Sequence, residues 1–536
     1  MTVVSVERPP FPQVIGGVGF HNNDAMLYHV MEREHFNQYI AKTYREISPG
    51  FMRTFAGFSD WTKEAMDEFA EYYEQMQKVT DTPMYLTPAA GKYHFTQEEI
   101  DIYAENVAVR LKYLYEEKGV KHIRYYCFSN ELSEGDYGIL NDNLPKFKQY
   151  HEALYRAFMR HNLPIGLLAT DAAGYENWES IEWAVKNMGQ ITEDYCVHCY
   201  EREHSIYDES FYDFFYQACK KVSNTALRNC KRAILGEIGI QNCANQTSIG
   251  NGAVIDTCGY FNVEKEKEDC ALMLTEMSFA ALNAGIYATA YWSYVDYPDP
   301  YSCSYSNAGG YPQKWGEREA FFSMTSKVKF NKWGMLRWEE NGDYSAKPHY
   351  WALAPLSKLI RNHARVMKVT TDDPLLHCIA VRNHDGSATL GIVNRRKESV
   401  EIRLKSDLFG KNLRVYEYDP RNVPVNPFAD MQDPTAVVAP DGEYTLKPFS
   451  ITYFTTDYTE KENSGVCLEC HEDNGILTWE ESKDNNHCYY RVYASDDAGF
   501  TPSVETQIAS TVALSLPLKV HKKYYKVLSV DRSGNI

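Results

Sequence analysis

"HIRYYCFSNE", residues 122–131, decides how this chain is read. Its first seven residues are strand-forming and mostly apolar on both faces, as suits a strand buried on both sides in a parallel sheet. It then closes on Asn130 and Glu131, where Gly or Ser would serve as a plain turn. "RAILGEIG" at 232–239 does much the same with Glu237. Runs of this kind recur at 14–20, 51–57, 83–88, 165–171, 194–200 and 287–294, which makes eight strands in all. Amphipathic stretches separate them. Thr96 and Glu99 form a capping box ahead of Tyr103, Val107, Leu111 and Leu114 at helical spacing, and Gly119 stops that helix. Met66, Phe69, Tyr73 and Met76 make a second stripe. Pro348 opens the last helix, and Pro355 is expected to kink it. Eight strand–helix units predict an α/β fold, a (β/α)8 TIM barrel over 1–362. An open doubly wound sheet shares the alternation.

After Arg365 the pattern changes to period-two strands and tight turns, with Asp385-Gly386 at a hairpin. This predicts a β-sandwich domain over 363–458. The polar stretch "YTEKENSG" reads as a linker. Residues 459–536 resemble a fibronectin type III module, with a core Trp479 in "NGILTWEES" and tyrosine-bearing strands in "YYRVYASDDAGFTP" and "KYYKVLSVDRSGN". No chemistry is visible there.

Composition narrows the partners. With 536 residues the chain exceeds a single core, and 44% hydrophobic content excludes disorder as a default. The 41 tyrosines and 9 tryptophans supply flat amphipathic faces that suit sugars. A formal charge of −18 argues against nucleic acid or an anionic membrane as partner. No apolar run approaches the length of a membrane span, and no signal peptide is visible. The 13 scattered cysteines favour a reducing, cytoplasmic setting, with secretion the alternative if a leader was removed. "CLECH" (467–471) with "HC" (487–488) is a weak metal signal, since only one Cys-x-x-Cys is present; plain thiols are the favoured reading, and no cofactor is expected. Homo-oligomerisation is left open.

In a (β/α)8 barrel the residues that close the strands ring one pocket, so Glu131 and Glu237 meet across it. Two such carboxylates suit acetal hydrolysis: one protonates the departing oxygen, and the other attacks the anomeric carbon or activates water. The other strand ends supply partners. Arg53 is placed to keep a carboxylate ionised, and Asn130 to donate to a sugar 2-hydroxyl. His198 and Tyr200 share one face of the sixth strand, the first a candidate substrate contact and the second a donor to Glu237. Trp292 is a candidate apolar floor, and Asp171 a support residue at the fifth strand. The long aromatic segment after the eighth strand reads as a wall or lid. Trp61, Tyr93, His94, Tyr137, Trp178, Asp296 and Trp315 are candidate rim contacts, most of them expected to be packing.

These elements, "SNE", "GE", Arg53, "HCY" and "YWSY", together resemble clan A of the retaining glycoside hydrolases. The resemblance implies an acid/base role for Glu131, a nucleophile role for Glu237, support from Arg53, Asn130 and Tyr200, and a cis peptide at Trp292-Ser293. Barrel plus all-β appendage is similar to the xylosidase and iduronidase branch, or to the glucosylceramidase branch. Exo-action on a β-glycoside is the expectation. Taken singly, each element has an ordinary reading as a turn, a cap or packing; their joint placement on the proper strands outweighs it. The rivals are an inverting, endo-acting or transglycosylating member of the clan, a carbohydrate-binding or adhesive protein with an inactive barrel, and a metal-dependent barrel hydrolase. The last wants several His and Asp at strand ends, and only His198 and Asp171 stand out.

Overall fold

Runs that are apolar on both faces need cover on both faces, and the chain provides it by closing a sheet on itself inside a ring of helices. The computed structural model describes residues 1–22, 33–56, 61–88, 96–131, 140–202, 207–241, 268–298, 330–331, 334–337, 344–460 and 467–536. The barrel strands are β1 (Gly17–His21), β2 (Met52–Phe55), β3 (Met84–Thr87), β4 (Ile123–Tyr126), β5 (Gly166–Ala173), β6 (Asp194–Arg202), β7 (Ala233–Gln241) and β8 (Ala288–Tyr291). They neighbour one another in chain order, and β8 runs parallel to both β7 and β1. That closure excludes the open doubly wound sheet.

The helices follow their sequence signals. Thr96 and Glu99 make the capping box on helix Gln97–Lys112, whose last turn widens into a π-turn at Tyr113–Glu117 before Gly119 adopts φ +71°. Met66, Phe69, Tyr73 and Met76 are the buried stripe of helix Lys63–Gln77. Helix Pro348–Leu359 begins at Pro348 and continues through Pro355.

The N-terminal strand Thr2–Glu7 corrects the expected boundary, because it lies in the sandwich rather than the barrel. It pairs antiparallel with Ala364–Thr371 and parallel with Val400–Ser406. The physical reason lies in its alternation: Val4 and Val6 are buried while their neighbours are not, the habit of a strand covered on one face. Strand Ala364–Thr371 pairs by its first half with Leu376–Arg382 and by its second with Thr2–Glu7, so it joins the two layers. Val4, Val6, Leu390, Ile392, Ile402, Leu404 and Phe454 form the core. The other face of strand Ala388–Asn394 lies against the barrel helices. A Cβ on Gly391 would come within 2.6 Å of the Phe279 ring.

The C-terminal residues form a four-stranded and a three-stranded sheet around Leu477, Trp479, Tyr490, Val492 and Val527. Among the described residues, Cys467, Cys470, His471, His487 and Cys488 do not gather into a metal-binding group. Cys488 is buried with its thiol toward the Arg45 carbonyl, and His487 Nδ1 pairs with Ser529 Oγ.

One buried ion cluster ties the three parts together. Lys42, on barrel helix Ala41–Ile47, lies 2.8 Å from Glu46 Oε2 and 2.7 Å from Asp430 Oδ1 on the sandwich side. Asp430 Oδ2 accepts from Arg491 Nε (2.9 Å), Gln507 Nε2 (3.0 Å) and Ser510 Oγ (2.9 Å) of the C-terminal sheets. Burial pushes the Asp430 carboxyl up, but Lys42 and Arg491 hold it below the ordinary aspartate range. Lys42→Met leaves two buried carboxylates one cation short. We expect a loss of about 3–5 kcal/mol in denaturant unfolding; an unchanged midpoint would show that the cluster does not hold the parts together.

Candidate active site

Each strand end contributes through its local backbone. On β6, Cys196, His198 and Tyr200 alternate inward. Val197 is opposite Leu235 and His198 is opposite Glu237, so Gly236 is an extra residue in β7. Without that bulge, Glu237 would fall opposite Cys199, on the outward face. Only glycine fits there: a Cβ would come 2.5 Å from Cys196 Sγ and 3.1 Å from His198 Nε2. Asp171 is likewise an extra residue of β5 against β6, at φ +60°. Glu131 follows β4 at φ +49°.

Arg53, with 0% of its surface exposed, is the hub. Its Nη1 donates to Glu237 Oε1 at 2.5 Å and meets His21 Nδ1 at 3.0 Å. Its Nη2 donates to Asn130 Oδ1 at 2.6 Å and Asp171 Oδ2 at 2.9 Å. Because a guanidinium only donates, His21 Nδ1 is the acceptor and its proton sits on Nε2. Tyr200 donates to the other Glu237 oxygen. His198 is fully buried, with Nε2 2.8 Å from Asp171 Oδ1 and Nδ1 3.2 Å from Glu131 Oε1 and 3.7 Å from Glu237 Oε1. One oxygen of Glu131, one of Glu237 and a His198 nitrogen all lie within 4.8 Å of one another.

Burial disfavours every charge here, and the partners decide which survive. Desolvation opposes the His198 cation, yet Asp171 and Glu237 raise its pKa to about 10. Desolvation likewise opposes the Asp171 carboxylate, but His198 and Arg53 hold it well below the ordinary range. Arg53 is held above its usual value by Asp171 and Glu237 despite burial. Glu237 is pushed up by burial, against the pull of His198, Arg53 and the Tyr200 hydroxyl. Glu131–His198–Glu237 and Asp171–Cys196–His198 are also the groups whose donor atoms lie close enough for a metal ion. His198 belongs to both, and the neighbours that raise its pKa to about 10 oppose the neutral form a metal ligand needs, so these residues fit a cation poorly.

The structure brings Arg53, Asn130, Glu131, Asp171, His198, Tyr200 and Glu237 into one network. His198, expected as a substrate contact, has both nitrogens engaged within it instead. Trp292, at the end of β8 and followed by a cis peptide to Ser293, packs its ring 4.0 Å from His21 and 5.4 Å from Phe55. Two expected rim residues lie elsewhere. Trp178 is buried, and its indole N–H donates to the His198 carbonyl at 2.9 Å. Asp296 is buried, accepting from Lys347 Nζ and Gly334 N at 2.8 Å each; it clamps the chain where the segment after β8 leaves and returns. Trp61 is half-buried and packs edge-on to Phe69. Trp315, Tyr93, His94 and Tyr137 lie outside the described residues. Sequence reading missed His21, although "GFHNN" closes the first strand as "SNE" closes the fourth, so the same rule would have found it.

No protein-family model and no curated sequence matches the chain. Solved structures do. The bacterial orthologue of human α-L-iduronidase is similar at TM-score 0.58 and 13% identity, over 100% of this chain and 98% of its own. The catalytic domain of the GH30 xylanase C from Talaromyces cellulolyticus gives 0.57 and 13%, over 84% and 99%. The α-L-arabinofuranosidase of Thermotoga maritima gives 0.56 and 14%, over 85% and 100%. The chain shares their fold, a TIM barrel followed by a β-sandwich, and the first likeness extends across the C-terminal sheets.

The His198 charge makes a stability prediction. Its folded pKa of about 10 exceeds the ordinary 6.5, so its contribution is complete below pH 6.5 and lost as pH rises through about 10. Melting temperature should therefore fall more steeply across that interval in wild type than in His198→Gln. Equal slopes would rule out a raised His198.

Proposed function

We propose that this chain is a retaining glycoside hydrolase of the clan A type, with Glu237 as nucleophile and Glu131 as acid/base. The observation that carries this reading is the approach of the two carboxylates, with an oxygen of each within 4.8 Å of the other, while Arg53 and Tyr200 both donate to Glu237. Carboxyl groups about 5–5.5 Å apart leave room for direct attack, whereas about 6.5–9.5 Å would be needed to fit a water between base and sugar.

The asymmetry of the pair supports the roles. Arg53 favours the ionised form of Glu237, whose buried oxygen is held in place to attack the anomeric carbon. Glu131 sits at the half-buried rim beside Asn130 and donates its proton to the departing oxygen. Arg53 accounts for the Asn130 carbonyl, so the amide NH2 turns away from it, where a sugar 2-hydroxyl could accept. Once Glu237 is esterified, Glu131 takes a proton from water, which attacks the same carbon and frees Glu237.

The substrate is a carbohydrate. For finer specificity we propose exo-action on a β-linked terminal sugar, motivated by the long aromatic segment after β8; product chain length from an oligosaccharide separates this from endo-action. We take the C-terminal sheets as a fibronectin type III-like support rather than a catalytic unit.

Hydrolysis of an aryl-glycoside panel tests the assignment. Glu237→Gln should abolish turnover with every leaving group. Glu131→Gln should cost about 10²–10⁴-fold, and least with a leaving group that needs no proton. The first-formed product should keep its anomeric configuration by NMR, and an inverted product would refute the double displacement. Tyr200→Phe removes a hydrogen bond that lowers the Glu237 pKa, so the acid limb of kcat/KM should move to higher pH. An unmoved limb would separate Tyr200 from the nucleophile.

A further inference from the structure

The network contains one acid that the two-step scheme does not use. Asp171 is fully buried and touches neither Glu131 nor Glu237 among the contacts described above. A bulge and a left-handed backbone nonetheless aim it at His198 Nε2, 2.8 Å away, while Arg53 Nη2 fixes its other oxygen at 2.9 Å. Gly236 leaves room for that contact, since a Cβ there would stand 3.3 Å from Asp171 Oδ1.

We propose that Asp171 is a positioning residue that fixes His198 as an imidazolium, whose Nδ1–H lies between Glu131 and Glu237 and favours whichever of them carries the negative charge. This rests on the hydrolase reading above. With Asp171 ionised, Nε2 must carry a proton. Nδ1 then faces Glu131 Oε1 at 3.2 Å and Glu237 Oε1 at 3.7 Å, and the carboxylate of this pair that is ionised repels a lone pair there and attracts a second N–H. Among the described residues, other charged and polar groups around this ring have partners of their own. Arg53 of β2 is committed to Asp171 and Glu237, with His21 of β1 behind it. The Cys196 thiol of β6 is kept protonated by burial and bonds toward Asp171, and Tyr200 binds the far oxygen of Glu237.

The benefit follows from counting charge. In the first step the bond from the anomeric carbon to the departing oxygen breaks with its electron pair. That oxygen takes the proton of Glu131, and Glu237 bonds to the carbon. Negative charge thus leaves Glu237 and appears on Glu131; the second step reverses this. The pair carries one negative charge at both stages, but on different residues. A cation fixed between them stabilises both without moving its own proton, which is electrostatic preorganisation. Arg53 cannot do this, because it reaches Glu237 and not Glu131 among the described contacts.

Ring-¹⁵N NMR of the full chain, with His198 assigned through His198→Gln, tests the state without any turnover. At about pH 8, above the ordinary histidine value, both His198 nitrogens should be protonated in wild type and only one in Asp171→Asn. A neutral His198 in wild type, accepting a proton from Glu131 at Nδ1, would overturn the proposal even if Asp171→Asn proved too unstable to study. Pre-steady-state kinetics on an aryl glycoside test the consequence. Asp171→Asn should slow glycosylation and deglycosylation alike, by about 10²-fold each, and move the acid limb of glycosylation upward. Slowing of one step alone, or an unshifted limb, would reduce Asp171 to a structural residue. Failure of wild type to cleave any glycoside would instead overturn the hydrolase reading and the two-step role with it, and the His198 spectrum tells these failures apart.

Discussion

A guanidinium with no exposed surface has to be surrounded by acceptors, and at Arg53 that requirement organises the barrel mouth. Its two terminal nitrogens bind groups from β1, from the ends of β4 and β5, and from β7. Strands distant in sequence are thereby held in one geometry by a single side chain. Removing the cation would leave two buried carboxylates, Asp171 and Glu237, with His198 as the remaining basic group described beside both. The same demand explains the backbone irregularities. Regular alternation cannot turn Glu237 toward both Arg53 and His198, and the bulge at Gly236 supplies the extra residue that does.

Much of this was legible in the sequence because the barrel strands announce themselves twice, by apolar runs and by polar closures. The run expected at 83–88 is strand Met84–Thr87, and the acids of "SNE" and "GE" share one network. The misreadings have a common cause, which is that side-chain direction depends on tertiary partners. Trp178 and Asp296 look like rim residues by position, yet an indole N–H finds a strand carbonyl and a carboxylate finds Lys347. Thr2–Glu7 falls within the span 1–362 expected for the barrel, although its period-two burial belongs to a half-covered sheet. The pairing of Asp171 with His198 needed the bulge in β5, which no spacing rule reveals.

The two β parts are not loosely strung appendages. Lys42 and Asp430 bring a barrel helix, a sandwich loop and the C-terminal sheets to one buried point. Helix Ala41–Ile47 also faces inward: the Thr43 hydroxyl pairs with Tyr294, the Tyr44 ring lies 4.3 Å from that of Tyr294, and the Tyr294 amide donates to the carbonyl of His21. A continuous series of packed groups therefore runs from the C-terminal sheets to the histidine beside Arg53.

The clamp at Asp296 has a consequence of a different kind. The chain leaves the barrel after Val295 and returns at Gly334, and Tyr297–Pro298 pairs antiparallel with Phe330–Asn331 just beyond the clamp. Both ends of the excursion are fixed at one place by a buried ion pair and a short ladder, so its closure is settled independently of what lies between. Each doubling of such a loop adds only about 0.6 kcal/mol of closure entropy. The span of sequence between these two fixed points can therefore be lengthened, shortened or exchanged at little cost to the barrel, because neither the ion pair nor the ladder depends on how long it is.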